Sequence, residues 1–187
     1  EEAECDAASE RGMGGEIFQE IRFEAAFLRG HRAKMSRIVE WLRGRNDEYL
    51  AFGFLAEEAS ALGQWRKARE FSKKAVDLAE KSGAHEIAGV IAAHQTFRIA
   101  FWSGERGFPS SGENGLKMVV RTHGNRALSS GKGVRVMALC AVAQAASGLT
   151  DEALRIVKEL GTSRPKDTMI NDVWIPTVLS AVDLHAK

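Results

Sequence analysis

Residues 49 to 82 constrain the fold of this chain more than any other stretch, because they predict two amphipathic helices joined by one tight turn. Apolar or small residues recur there at the three-to-four spacing of a helical face. These residues are Leu50, Phe54, Leu55 and Ala59, then Trp65, Ala68, Phe71, Ala75, Val76 and Leu78. Gly63 interrupts the pattern, and glycine often follows a helix end because it adopts the left-handed conformation at low cost. The stretch therefore predicts an αα-hairpin whose uncovered apolar face needs further hairpins.

The composition favours helix along almost the whole chain. Of the 187 residues, 44% are hydrophobic, 27% are charged and only three are proline, which is the balance of a soluble globular protein. Acidic and basic residues are interleaved and the net charge is +1, so no block of one sign favours nucleic-acid binding. No apolar run reaches the roughly 18 residues of a membrane span. We therefore predict an all-α, cytoplasmic protein that binds neither nucleic acid nor a membrane.

The two cysteines, Cys5 and Cys140, are too few for a disulfide framework and have no cysteine or histidine near them at metal-binding spacing. A reducing compartment fits this usage, and no metal or other cofactor is predicted. The sequence begins with EEAEC rather than with methionine, in what resembles the middle of a helix. We therefore expect it to be a fragment of a longer protein.

The hairpin plan recurs along the chain. Gly30 and Gly63 lie 33 residues apart, within one residue of the tetratricopeptide period of 34. Five residues after each turn glycine, where the second helix crosses the first, stand Met35, Ala68 and, after Gly148, Ala153. The predicted fold is a superhelical array of antiparallel helix pairs, an α-solenoid. Its units are a half repeat at about 1–12, repeats at 16–45 and 49–82, an irregular repeat at 84–125, a repeat at 129–162 and a terminal helix at 167–187.

The third repeat departs from this plan. Gly63 and Gly104 are 41 residues apart, and Gly104 and Gly148 are 44 apart, which indicates an insertion. The segment ERGFPSSGENG is too rich in glycine, serine and proline to be helical throughout, so we place its helix at about 113–122.

Two further helix boundaries are predicted from single residues. Thr150 is placed to cap one helix and Asp167 the next. Pro176 either kinks the terminal helix or marks the first turn of a second piece.

Three stretches carry a family resemblance: FEAAFLRGHRAKMSRIVEWLRGR, GQWRKAREFSKKAVDLAEKSG and RPKDTMINDVWIPTVLSAVDL. The last holds an Asp-Thr pair at 167–168 and an aromatic-aliphatic-Pro-Thr run at 174–177. Together they resemble the tetratricopeptide-containing C-terminal regions of bacterial, especially acidobacterial, eukaryotic-like serine/threonine protein kinases and winged-helix regulators. The resemblance implies a region that regulates or targets an attached kinase or DNA-binding domain. No kinase signature is present, so any catalytic domain is expected outside this sequence.

Two short matches to catalytic motifs fail on detail. Gly131-Lys132 resembles the end of a phosphate-binding loop, but Arg126 and Gly133 occupy positions that need glycine and a hydroxyl residue. The connection is better interpreted as a glycine-rich turn. His85-Glu86 begins like a zinc motif, but Gly89 stands in place of its second histidine. With no nucleophile, base and orienting residue in sequence, no enzymatic activity is predicted.

The first helices of stacked repeats line a concave surface, and the glycine register predicts which side chains face it. The candidate partner-binding residues are Glu20, Glu24, Glu57, His94, Arg98, Phe101 and Arg135. Their predicted neighbours are Ile17, Phe27, Leu50, Gly53, Ile91, Ala138 and Val142. Acid at one end and base at the other suit a peptide or helix of opposite polarity. The alternative is a solvated polar stripe, since these charges recur at helical spacing.

The sequence thus predicts a protein-interaction or scaffolding module in a larger signalling protein. The alternative is a sensor of a small ligand or peptide, with a pocket formed by Trp102, Phe108 and His123 in the irregular repeat. Trp41 and Trp65 are expected to pack between helices, whereas Trp102 is either core or a partly exposed anchor.

Overall fold

The computed structural model describes residues 7, 11, 16–102 and 112–185, and every regular element in these ranges is helical. The helices are α1 (Glu16–Leu28), α2 (Arg32–Leu42), α3 (Glu48–Ala61), α4 (Trp65–Lys81), α5 (His85–Trp102), α6 (Gly112–Ser130), α7 (Val134–Ala146), α8 (Thr150–Ser163) and α9 (Ile175–His185), with a π-helical turn at Met169–Trp174 before α9. None of these helices has the length and apolar character needed to cross a membrane. The predicted all-α class is confirmed.

The chain divides into two compact units, residues 1–82 and 83–187, where the sequence predicted one array. In unit 1, α1 packs on α2 and α3, and α3 packs on α2 and α4. In unit 2, α5 packs on α6 and α7, while α7 also contacts α6, α8 and α9. Helices therefore pack in sequential pairs, and the alternate pairs α1–α3, α5–α7 and α7–α9 also touch.

The predicted turn glycines at 30, 63 and 148 all adopt the left-handed conformation, with φ of 67°, 68° and 74°. In each turn the glycine N–H donates to the carbonyl three residues back at 3.0 Å, and the next N–H donates to the carbonyl five residues back at 2.8 Å. This pair of bonds satisfies carbonyls at the end of the first helix and reverses the chain. The recurrence of one turn geometry confirms the hairpins that those glycines predicted; Gly12 and Gly104 lie outside the described residues.

Each unit has its own apolar core. In unit 1 the Phe23 and Phe54 rings stack with centroids 4.5 Å apart and planes 11° from parallel. The predicted crossing residues Met35 and Ala68 are buried there. In unit 2 every residue of α7 from 136 to 145 is buried, because α5, α6, α8 and α9 all pack around this helix. The prediction that Ala138 and Val142 face an open groove was therefore wrong.

Helix α6 is longer than predicted: it begins at Gly112 and continues past residue 122 to Ser130. Gly124 lies within it, and this glycine allows close packing, since a Cβ there would be 3.4 Å from the Gln144 amide nitrogen. The Cys140 thiol also lies 3.9 Å from the Gly124 carbonyl oxygen. Packing against α5 and α7 thus maintains helix in a sequence of low intrinsic propensity.

Of the two predicted helix-capping residues, one is confirmed and the other is not. Thr150 is the first residue of α8 and Leu149 occupies the N-cap position, so that prediction was wrong. The Asp167 carboxylate accepts a hydrogen bond from the Ile170 N–H at 3.1 Å, so its capping role is confirmed. Pro176 is the second residue of α9, a position in the first turn of a helix where proline is tolerated. It thus marks the first turn of a second piece, as one of the two alternatives predicted.

Two glycines of one hairpin give a matched test of the turn. A Cβ added at either Gly63 or Gly53 would have no other atom within 4 Å, but only Gly63 has positive φ. Gly63→Ala should lower the free energy of unfolding by about 1–2 kcal/mol because alanine is strained in the left-handed region. Gly53→Ala should raise it by up to about 1 kcal/mol, since Gly53 lies inside α3. Urea titrations followed by circular dichroism measure both; shifts of the same sign would contradict the assigned turn.

Candidate functional site

The structure brings two of the predicted carboxylates together in unit 1. Glu24 on α1 and Glu57 on α3 line one cavity of about 230 Å³. We call it the acidic pocket; its other lining residues are Phe23, Phe27, Leu28 and Ala61. Phe23 is buried and held by its stack on Phe54, so one wall is rigid. The pocket therefore combines a fixed aromatic wall with two carboxylates from neighbouring first helices.

The rim of the acidic pocket is apolar and open to solvent. Leu28 is 84% exposed and Phe27 is 37% exposed. On the same helix, Phe18 and Ile21 are also exposed, so α1 presents a run of large apolar side chains rather than one isolated residue. An exposed apolar rim of this kind is typical of interaction sites. Glu20, also predicted to face the groove, is half-buried on α1 and is not part of the pocket lining.

The predicted basic residues also meet, in unit 2. His94 and Arg98 lie on α5, and both Arg98 and Arg135 at the start of α7 act electrostatically on His94. Burial, reinforced by these two arginines, lowers the pKa of His94 to about 4. The imidazole is therefore neutral at pH 7, and its basicity is too low for a general base at that pH. We call these three residues the basic cluster; its positive charge comes from the arginines.

Members of the basic cluster differ in access to solvent. Arg98 is only 9% exposed, although the register predicted that it would face an open groove. Arg135 is exposed and is the member that an incoming group reaches first. Phe101, 48% exposed, lies 4.5 Å from Phe97 between ring centroids. It therefore belongs to an aromatic cluster at the end of α5 rather than to the histidine and its arginines.

Trp102 is a partly exposed residue of that aromatic cluster, with its ring centroid 6.2 Å from that of Phe97. The sensor pocket predicted for Trp102, Phe108 and His123 stays a prediction, because Phe108 lies outside the described residues. Trp65 is buried as expected. Trp41 is exposed and the guanidinium of Arg45 lies 3.9 Å from the centre of its ring, so this tryptophan stacks on a cation instead of packing between helices.

The glycine-rich connection between α6 and α7 binds a carboxylate of the chain itself. Glu86, on α5, accepts hydrogen bonds from the N–H groups of Lys132 and Gly133 at 3.1 and 2.9 Å. Gly131 and Gly133 approach the Glu86 side chain so closely that a Cβ at either position would clash with it. The backbone donors that a phosphate-binding loop would offer are thus used by Glu86. Glu86 and Lys132 are 46 residues apart in the sequence, so no local pattern predicted this contact.

A second cavity, which the sequence did not predict, lies in unit 2. It has a volume of about 190 Å³ and is formed by α6, α7, α8 and the connection before α7. Its lining residues are Asn125, Leu128, Lys132, Met137, Gln144, Glu152, Arg155, Ile156 and Glu159. Gln144 is the one available sequence signal, since it is a polar residue within the otherwise apolar stretch VMALCAVAQAA. We call this site the Gln144 cavity.

The cysteine that the structure describes is not a candidate nucleophile. Cys140 is buried in α7, and burial raises the pKa of its thiol to about 12. The thiol therefore remains protonated at neutral pH, whereas nucleophilic cysteines need the thiolate. Cys5 lies outside the described residues.

The sequence matches no family model, and comparisons with curated proteins and with solved structures likewise give no match. The described part of the chain is helical, with its helices packed in sequential pairs, and no family is identified. The resemblance to tetratricopeptide regions of bacterial kinases stays a prediction.

Burial of His94 predicts a pH dependence of stability. An unfolded chain protonates this histidine near its ordinary pKa of 6.5, whereas the folded protein resists protonation down to about 4. The free energy of unfolding should therefore fall as the pH drops from 6.5 towards 4, by at most about 3 kcal/mol from this residue. Urea titrations across that range should show a flatter profile for His94→Asn than for the wild type. Parallel profiles would contradict the assigned burial.

Proposed function

We propose that this chain is a protein-interaction module and that its acidic pocket binds a short segment of a partner protein. The observation that carries the proposal is the meeting of Glu24 and Glu57 around a fixed aromatic wall with an apolar rim. Interaction sites combine apolar contact area, which supplies affinity, with charged groups that select the partner. No catalytic group is needed for such a role.

We further propose that the helix pairs form a tetratricopeptide-like solenoid. The support is the 33-residue spacing of Gly30 and Gly63, their shared turn geometry and the packing of alternate helices within each unit. In such arrays the first helix of each pair contributes to the binding surface. Glu24 on α1 and Glu57 on α3 hold that position in two consecutive pairs.

The chemistry of the acidic pocket defines the segment that it suits. A cavity of about 230 Å³ accommodates one large apolar side chain of a peptide. Glu24 and Glu57 favour a lysine or arginine next to that side chain, because their carboxylates attract a cation. They would repel an acidic residue of the partner at the same place. We therefore propose a partner segment with an aliphatic or aromatic anchor flanked by basic residues.

The resemblance to kinase and winged-helix regulator regions supports a proposal about the domain on which partner binding acts. We propose that partner binding regulates or targets a kinase or DNA-binding domain in a longer protein. The basic cluster gives unit 2 the opposite polarity, with Arg135 exposed. Acidic groups of a partner are the chemistry that this arginine favours.

Selection from an unbiased library of displayed peptides tests the binding proposal. The wild-type protein should enrich peptides that combine a large apolar residue with lysine or arginine. For a selected peptide, the double variant Glu24→Lys/Glu57→Lys should raise Kd at least about tenfold, which corresponds to about 1.4 kcal/mol. Fluorescence polarisation at two salt concentrations measures this change and its screening.

Glu70→Lys is the matched control, since Glu70 is an exposed residue of α4 that does not line the pocket. It should change Kd less than about twofold. Arg98 is unsuitable for charge reversal because its burial would place a new carboxylate inside unit 2. Enrichment of acidic peptides, or equal binding by the double variant and the control, would contradict the proposal.

A further inference from the structure

We propose that the Gln144 cavity is a binding site for a small zwitterion, an α-amino acid with an apolar side chain. Gln144 and Glu152 would bind its ammonium group, Arg155 its carboxylate, and Leu128, Met137 and Ile156 its side chain. This site lies wholly within unit 2, so it is independent of the acidic pocket proposed above.

The first argument is the state of Gln144. Its side chain is only 2% exposed, and its Oε1 atom has no hydrogen-bond partner among the described residues. A buried acceptor without a donor lowers stability by about 1–3 kcal/mol, so such atoms are uncommon in native proteins. Because Gln144 lines the cavity, a ligand that brings an N–H or O–H group there would supply the missing donor.

Glu152 shows why that donor should be cationic. Two nitrogens of Arg121, Nε and Nη2, bind the same Glu152 oxygen, Oε1, at 2.9 and 2.7 Å. Burial acts to raise the pKa of Glu152, but hydrogen bonding and the positive charges of Arg121 and Arg155 outweigh it and lower this pKa. The carboxylate is therefore ionised at pH 7 and suits an ammonium group.

Arg155 supplies the opposite charge at the right spacing. Glu152, Arg155, Ile156 and Glu159 lie on one face of α8, at positions three, four and seven residues apart. Glu152 and Arg155 are thus one turn apart, and the ammonium and carboxylate groups of an α-amino acid are also adjacent. The pair therefore matches both charges of one zwitterion, whereas a simple amine or a simple carboxylate would use only one of them.

The remaining walls and the volume limit the size of the ligand. Leu128, Met137 and Ile156 give the cavity an apolar part, and Met137 lies two turns before Gln144 on α7, about 10 Å along the axis. A dry cavity of about 150 Å³ holds benzene, so about 190 Å³ suits a ligand slightly larger than that. Leucine and methionine are of this size, and a nucleotide is too large.

Titration calorimetry and methyl NMR of the whole chain test this proposal with L-leucine and L-methionine as probes. We expect a Kd below about 1 mM and shifts at the Leu128, Met137 and Ile156 methyl groups. 3-Methylbutylamine, which lacks the carboxylate, and 4-methylpentanoate, which lacks the ammonium group, should each bind at least about tenfold more weakly. Binding of neither amino acid, or binding of either truncated compound as tightly as leucine, would overturn the proposal.

Variants separate a specific site from non-specific association. Gln144→Leu and Arg155→Gln should each weaken amino-acid binding at least about tenfold. Lys158→Gln is the matched control, because Lys158 is exposed on the same helix but does not line the cavity, and it should bind as the wild type does. Arg155 is exposed, so its variant should fold even if Gln144→Leu does not. Wild-type affinity in Arg155→Gln would overturn the proposal.

These experiments test the two proposed sites independently of each other. Glu24→Lys/Glu57→Lys should bind the amino acid with wild-type affinity, because both substitutions lie in unit 1. Loss of amino-acid binding in that variant would overturn the assignment of the ligand to the Gln144 cavity. A negative peptide selection would leave the amino-acid result unaffected.

Discussion

The left-handed glycine turn is the constraint on which the helix pairs depend. At Gly30, Gly63 and Gly148 one residue with positive φ reverses the chain while two backbone hydrogen bonds satisfy the end of the preceding helix. The second helix then packs on the first along its apolar face. Pairs of helices, rather than single helices, are therefore the units that the two compact halves are built from.

Features that depend on neighbouring residues could be predicted from the sequence, whereas those that depend on distant contacts could not. The helical class and the turns at Gly30 and Gly63 follow from apolar spacing and glycine alone. The full length of α6 depends on packing against α5 and α7, and the hydrogen bond that the Gly133 N–H donates to Glu86 joins residues 47 apart. No local pattern in the sequence encodes either contact.

The candidate sites show the same division. Register placed Glu24 and Glu57 on one surface, and they line one pocket. The helical register gives the direction in which a side chain points, but it does not show which helices cover that side chain. It therefore cannot predict how deeply the side chain is buried. Ala138 and Val142 are therefore buried where four helices surround α7, and Arg98 is covered although it shares a face with His94.

The polar groups inside unit 2 differ in how the structure accommodates them. Burial keeps His94 neutral, so no full charge is left in a poorly solvated position. The Glu152 carboxylate is instead compensated by Arg121, and Ser147 donates to the Ala143 carbonyl of its own helix. The Gln144 Oε1 atom has no hydrogen-bond donor among the described residues. A neutral amide also has no charge that a change of protonation could remove. An uncompensated acceptor beside a cavity costs stability unless something binds there, which is why this residue marks a site more strongly than the charged groups do.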